Sequence, residues 1–244
     1  MYLSIDNLCV SLNSTFKIEG LSMHIDKGEM IGVIGPNGSG KTTLLRLIAG
    51  IIKPKTGNIK IGNKALNEIP IKKLACIRAY VPESIDMPFD YLVHEMVRLG
   101  RYPHLNIFSH TSDLDEKAIL DAIELTDIKI LYHRRFFTLS MGEKQRVMLA
   151  MAIAQQPEFL LLDEPISHLD IGHQLSFMST LKKLNKNGIT IISAMHELNI
   201  AAAFFDRLCL MDNGNVIMIQ KPKHPDLING IKTVFKLSDD RFIG

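Results

Sequence analysis

The sequence predicts an α/β fold in which a parallel sheet is covered on both faces and a helical block is inserted between its strands. Three observations carry that expectation. Short apolar runs at 30–34, 159–162 and 189–194 are each bounded by turn residues, the pattern of strands buried on both faces. A glycine-rich stretch separates the first run from a helical pattern, as ligand loops at the carboxyl ends of parallel strands do. Between about 86 and 156 the periodicity is mostly helical. With 46% hydrophobic and 22% charged residues among 244, the chain can bury a sizeable core and does not read as disordered.

Taken in order, residues 1–10 carry Asp6 and Asn7 but no basic segment followed by an apolar stretch, so no leader peptide is expected. Residues 30–34 read as a buried strand, and 43–49 as a helix that Gly50 ends. Residues 58–61, followed by Gly62-Asn63, read as one strand of a hairpin. Amphipathic helices are expected at 91–99, 113–125 and 142–155, the last stopping before Pro157. Buried strands return at 159–162 and 189–194, and 208–219 forms two strands about the turn Asn213-Gly214. No apolar run approaches the roughly 20 residues that span a bilayer. Lys and Arg total 28 against 26 Asp and Glu, a net charge of +2, which gives no support to a nucleic-acid partner. Cys9, Cys76 and Cys209 lie far apart without a CxxC and read as free thiols.

Gly35-Pro36-Asn37-Gly38-Ser39-Gly40-Lys41-Thr42 fits G-x-x-x-x-G-K-[ST] between a strand and a helix, the context that motif requires. Glycines let backbone N–H groups turn inward around phosphate oxygens, and the helix N-terminus adds partial positive charge. Lys41 then reaches the β- and γ-phosphates of ATP, and Thr42 offers its hydroxyl to Mg²⁺. Two further strands end in chemistry-bearing residues. The 159–162 run leads into Asp163-Glu164 and the 189–194 run into His196-Glu197. Asp163 is placed to hold Mg²⁺, Glu164 to orient or deprotonate an attacking water, and His196 to contact the γ-phosphate.

Between the phosphate loop and the Asp-Glu pair lies Leu139-Ser140-Met141-Gly142-Glu143-Lys144-Gln145-Arg146. Alone, Ser140 with Glu143 three residues on is an ordinary capped helix start. Together with the other motifs it resembles the LSGGQ signature of ATP-binding-cassette (ABC) ATPases. Ser167-His168-Leu169-Asp170 is similar to that family's D-loop, and His196 to its switch histidine. The resemblance covers essentially all of 1–244. It implies a RecA-like P-loop core formed by 1–85 and 157–244, with an N-terminal antiparallel β region, and a helical subdomain at 86–156. It implies two copies closed head-to-tail, each ATP held between one copy's phosphate loop and the other's signature. The nucleotide set it implies adds Thr43, Ser140, Gly142, Glu143 and Asp170 to residues 35–42.

The sequence departs from the family pattern at three places. Glu83, in Tyr80-Val81-Pro82-Glu83, stands where the family's Q-loop has glutamine, as a metal-facing and catalytic position. A carboxylate about 4 Å from a γ-phosphate charge costs about 4 kcal/mol at an effective dielectric of roughly 20, less what Mg²⁺ offsets. Met141 replaces the first signature glycine, harmlessly if that residue is helical. The aromatic that stacks on adenine is expected near Leu12, with Phe16 as the alternative.

Leu99-Gly100-Arg101-Tyr102-Pro103-His104 looks like the GRxPH stretch of ATPases that serve iron–siderophore, haem and cobalamin importers. His196-Glu197-Leu198-Asn199-Ile200-Ala201 points the same way. Manganese and zinc importers share parts of both, and exporter subunits and soluble ABC ATPases stay open as alternatives. The resemblance implies a permease on separate transmembrane chains, received near Met87, Pro88, Phe89 and Tyr91, and an indirect substrate-binding protein. It implies peripheral attachment to the cytoplasmic face of the inner membrane.

Overall fold

The apolar runs become the middle of a six-stranded sheet. The computed structural model describes residues 2–11, 17–105 and 112–237. β1 (Leu3–Ser11) and β2 (Lys17–Ile25) precede β3 (Met30–Ile34), and α1 (Lys41–Ile48) follows the glycine-rich loop. β4 (Thr56–Ile61), β5 (Lys64–Ala65), α2 (Ile71–Ile77) and β6 (Arg78–Val81) come next. The helical block holds α3 (Val93–Leu99), α4 (Asp113–Leu125) and α5 (Met141–Ala154). The remaining elements are β7 (Phe159–Asp163), α6 (Ile171–Lys186), β8 (Thr190–Met195), α7 (Leu198–Phe204), β9 (Arg207–Asp212), β10 (Asn215–Gln220) and α8 (Pro225–Phe235).

The larger sheet has the order β10-β9-β3-β8-β7-β6, parallel throughout except for the β9–β10 hairpin. The second sheet, β2-β1-β4-β5, is antiparallel. Alternation divides β3, β7 and β8 between two cores. Met30, Ile34, Leu160, Leu162, Ile191 and Met195 face the helices of the inserted block and α6. Ile31, Val33, Phe159, Leu161, Ile192 and Ala194 face α1 and the antiparallel sheet. At about 25 cal/mol per Å² of apolar area, burial on both faces is why these strands carry almost no polar residue.

Element edges differ from the sequence expectation by one or two residues. α3 starts at Val93 rather than 91, because Leu92 bridges to Arg135 and its amide is capped by Glu95 Oε2 at 2.7 Å. α5 starts at Met141, and this residue is helical, so methionine carries no backbone strain there. The three cysteines are free thiols.

Register fixes the site. In a parallel sheet the carboxyl ends share one edge, and Ile34 pairs with Met195 while Asp163 pairs with Ala194. Gly35, Glu164 and His196, one residue beyond, therefore emerge side by side at that edge.

Candidate functional site

The loop after β3 turns at Gly35 and closes on α1. A Cβ at Gly35, whose φ is +157°, would lie 2.2 Å from the Met211 carbonyl oxygen and 2.6 Å from Ser39 Oγ, so β9 excludes any side chain there. The Gly214 amide donates to the Ser39 carbonyl at 3.0 Å. The β9–β10 hairpin thus braces both ends of the loop, and Ser39 Oγ is buried without a hydrogen-bond partner among the described residues.

Lys41 opens α1 and is buried. Its Nζ donates to the carbonyls of Gly35 (2.9 Å) and Pro36 (3.3 Å) and lies 3.8 Å from Glu164 Oε1. Burial lowers its pKa, opposed by the carboxylates of Glu164 and Asp163. Thr42, next on the helix, donates its hydroxyl to Asp163 Oδ1 at 2.9 Å. Tyr80 on β6 donates its phenol to the other carboxylate oxygen of Asp163 at 3.0 Å, and burial pushes that phenol up to about 12. The sequence reading passed over Tyr80. β6 has four residues, and only its parallel pairing with β7, Tyr80 opposite Leu161, brings the phenol to Asp163.

Glu164 leaves β7 at φ +49°, a left-handed conformation that costs a non-glycine residue of order 1–3 kcal/mol. Its amide donates to the Ala194 carbonyl at 3.2 Å, and its carbonyl accepts from the Ser167 hydroxyl at 3.1 Å. Held this way, its carboxylate meets His196 Nε2 at 2.5 Å. Side-chain exposure is 16% for Glu164 and 31% for His196, so the pair sits at the mouth of the site, reachable by water. Lys41, Thr42, Asp163, Glu164 and His196 form one continuous cluster of charge and hydroxyl at the sheet edge.

Other expected site residues lie elsewhere. Glu83 is half-exposed beyond β6 and faces His168 Nε2 at 3.6 Å. None of its recorded hydrogen bonds or ion pairs among the described residues reaches Thr42 or Asp163. Ser140 caps α5. Its hydroxyl accepts from the Glu143 amide at 3.3 Å, and its own amide donates to Glu143 Oε2 at 2.8 Å. The Ser140 amide first, then the Ser140 hydroxyl donating to Glu143 Oε2 at 3.0 Å, hold the Glu143 carboxyl below its ordinary pKa. Asp170 caps α6, accepting from the His173 amide at 3.0 Å. Thr43 is buried on α1. Leu12 and Phe16 lie outside the described residues.

Thr42 and Asp163, in contact at 2.9 Å, offer the donor types for a divalent ion held by few protein ligands. Among the described residues, no group of three or more His, Cys, Asp or Glu side chains forms a metal cage. One hydroxyl and one carboxylate suit Mg²⁺, which keeps several waters and takes phosphate oxygens.

The described surface of the helical block carries a groove of about 390 Å³ lined by Tyr91, His94, Glu95, Arg98, Tyr102 and neighbouring leucines. Phe89 and Tyr102 stand beside or in it, 66% and 73% exposed.

A family model described as ABC transporter matches residues 18–167. YvrA of Bacillus subtilis, an uncharacterized ABC transporter ATP-binding protein, is 38% identical over 220 residues, covering 89% of this chain. The chain spans half of that relative's length (50%). The hemin import ATP-binding protein HmuV of Gloeobacter violaceus is 36% identical, covering 87% of this chain and 79% of the relative. The iron(3+)-hydroxamate import ATP-binding protein FhuC of Bacillus subtilis is 38% identical, covering 88% and 80%. Among solved structures, an inward-facing ABC transporter provisionally assigned to the metal-chelate type superposes with a TM-score of 0.85. It is 28% identical, covering 97% of this chain and 89% of that one.

Proposed function

The chain belongs to the ABC transporter family, and on that premise we propose that it is the ATP-hydrolysing subunit of an importer for a metal chelate. The cargo class is iron–siderophore, haem or cobalamin-like. The chain binds ATP and is an ATPase. The hemin and hydroxamate relatives, together with the run Arg101-Tyr102-Pro103-His104, support the cargo class over manganese, zinc or export.

The observation that carries the catalytic reading is the chain of contacts Lys41–Glu164–His196, 3.8 and 2.5 Å, beside the Thr42–Asp163 pair. Backbone N–H groups of residues 35–42 at the α1 N-terminus take the phosphates. Lys41 Nζ exchanges its loop carbonyls for β- and γ-phosphate oxygens. Thr42 and Asp163 would hold Mg²⁺, which when bound would supply charge neutralisation at the phosphate oxygens. Glu164 accepts the proton of the attacking water, its carboxylate aimed by the left-handed backbone and by His196. His196 donates toward the γ-phosphate as charge develops there.

A second copy completes the site. Ser140 and Gly142 present a capped helix N-terminus, an anion site, and none of their recorded hydrogen bonds or ion pairs among the described residues reaches residues 35–42 of their own chain. Head-to-tail closure brings that N-terminus to the partner copy's ATP. The groove lined by Tyr91 and Tyr102, with Phe89 beside Tyr91, receives a helix of the permease, at the cytoplasmic face of the inner membrane, and a substrate-binding protein acts through that permease. The translocation path belongs to those partner chains. No described helix of this chain is long and apolar enough to cross a membrane.

The test is steady-state turnover with ATP binding measured alongside. Glu164→Gln is expected to lower turnover by about 10²–10⁴-fold, the usual worth of a positioned general base, while ATP affinity stays. Turnover within a few-fold of the parent would remove Glu164 from the catalytic role.

A further inference from the structure

The run from Gly100 to His104 acts far from the nucleotide loop, at the last turn of α5. Arg101 is 4% exposed. Its Nη1 donates to the Ala154 carbonyl at 2.7 Å and to Gln156 Oε1 at 3.0 Å, and its Nε donates to Asp115 Oδ1 at 2.8 Å. His104 Nε2 lies 2.8 Å from the Gln155 carbonyl oxygen. A carbonyl only accepts, so that nitrogen carries the proton. The last carbonyls of a helix have no partner within it, and donors or cations are favoured there. Two side chains of one short segment therefore cap α5.

The same helix end is tied to the core. Gln155 Nε2 donates to the carbonyls of Ala75 on α2 and, at 2.6 Å, Arg78 on β6. In the second turn of α5, Gln145 Nε2 donates to the Glu83 carbonyl at 2.9 Å. A Cβ on Gly100 would lie 2.1 Å from the Met151 carbonyl oxygen, so only glycine lets the end of α3 come this close to α5. The other end of α5, 14 residues away, is capped by Ser140. At 1.5 Å per residue the helix is about 21 Å long, and a tilt of about 10° about its C-terminus moves Ser140 by about 4 Å. That exceeds the whole range over which a hydrogen bond to phosphate survives.

We propose that Arg101 and His104 are positioning residues for ATP hydrolysis. By capping the C-terminus of α5 against β6, they set where Ser140 and Gly142 stand to receive the partner copy's phosphate. This rests on the head-to-tail reading above. Neither residue touches nucleotide, and both act through α5.

The experiment uses the full chain with Glu164→Gln, so that ATP is held rather than spent. His104→Leu and His104→Gln are compared by ATP-driven dimerisation in light scattering and by affinity for a fluorescent ATP analogue. The half-buried His104 is chosen because the buried Arg101 is a fold risk. His104→Leu is expected to weaken dimerisation about tenfold, the worth of one such hydrogen bond, with analogue affinity within twofold of the parent. His104→Gln, which keeps an N–H donor, is expected to recover most of the loss. The proposal is overturned if His104→Leu dimerises like the parent, if it loses dimerisation and analogue affinity in equal measure, or if His104→Gln is no better than leucine. If the Glu164→Gln parent binds the analogue but never dimerises, the head-to-tail reading fails, and this inference with it.

Discussion

Glu164 is the residue at which local cost and function meet most plainly. Its φ of +49° is offset only by what the conformation does, which is to bring the carboxylate onto His196 and within reach of Lys41. The gathering of Lys41, Thr42, Asp163, Glu164 and His196 at one sheet edge was legible because each lies at or just past the end of an apolar strand or glycine loop, and motif and strand end reinforce each other. Tyr80 was not legible. A phenol in a four-residue strand carries no motif, and its partner Asp163 is 83 residues away. Glu83 is the opposite case, flagged by sequence as facing the γ-phosphate and found half-exposed against His168. If nucleotide binding turns Glu83 from His168 toward the ion, as its Q-loop position implies, Glu83→Gln is expected to shift the Mg²⁺ concentration for half-maximal turnover by several-fold. Titrating Mg²⁺ in an ATPase assay checks this, and an unchanged curve would mean the Glu83 carboxylate never faces the ion.

At the scale of elements, a buried ion pair, Arg101 with Asp115 at 2.8 Å, joins the end of α3 to α4 beside the apolar contacts of the helical block. The Ser112 hydroxyl and amide first, then the Arg101 guanidinium, hold the Asp115 carboxyl down at about 2. A folded-state pKa below the unfolded one means that the carboxylate contributes stability above the ordinary aspartate value near 4. That contribution is lost as pH falls through about 2. Asp115→Asn is therefore expected to be clearly less stable than the parent at neutral pH, with the gap closing between about pH 4 and pH 2. Urea midpoints across that range measure it, and a gap that stays constant would contradict the assignment. The helices α3, α4 and α5 could be read from periodicity, but the Arg101–Asp115 pair could not, because it joins segments whose approach depends on tertiary packing. α6 escaped the sequence reading for a different reason. Ile171 and Leu175 on it are 64% and 45% exposed, which blurs the apolar stripe that periodicity seeks.

For the whole molecule, parallel strands aligned at their carboxyl ends gather the nucleotide chemistry on one sheet edge. The helical block carries the signature helix and the groove with Phe89 and Tyr102. The fold class followed from the central strands, whose burial on both faces leaves a continuous apolar trace. The outer elements, β6, α2 and α8, are short or partly exposed and left weaker marks. On the proposed reading, ATP at the partner copy's sheet edge is linked, through α5 and the groove, to the membrane partner. The most direct test is affinity purification of the tagged chain from gently solubilised native membranes, beside a Phe89→Asp, Tyr102→Asp variant. A polytopic membrane protein is expected to copurify with the parent in near-equal amount and to be lost with the variant. Recovery of ribosomal or DNA-bound partners without any membrane protein would contradict the importer reading, while leaving the ATPase site intact.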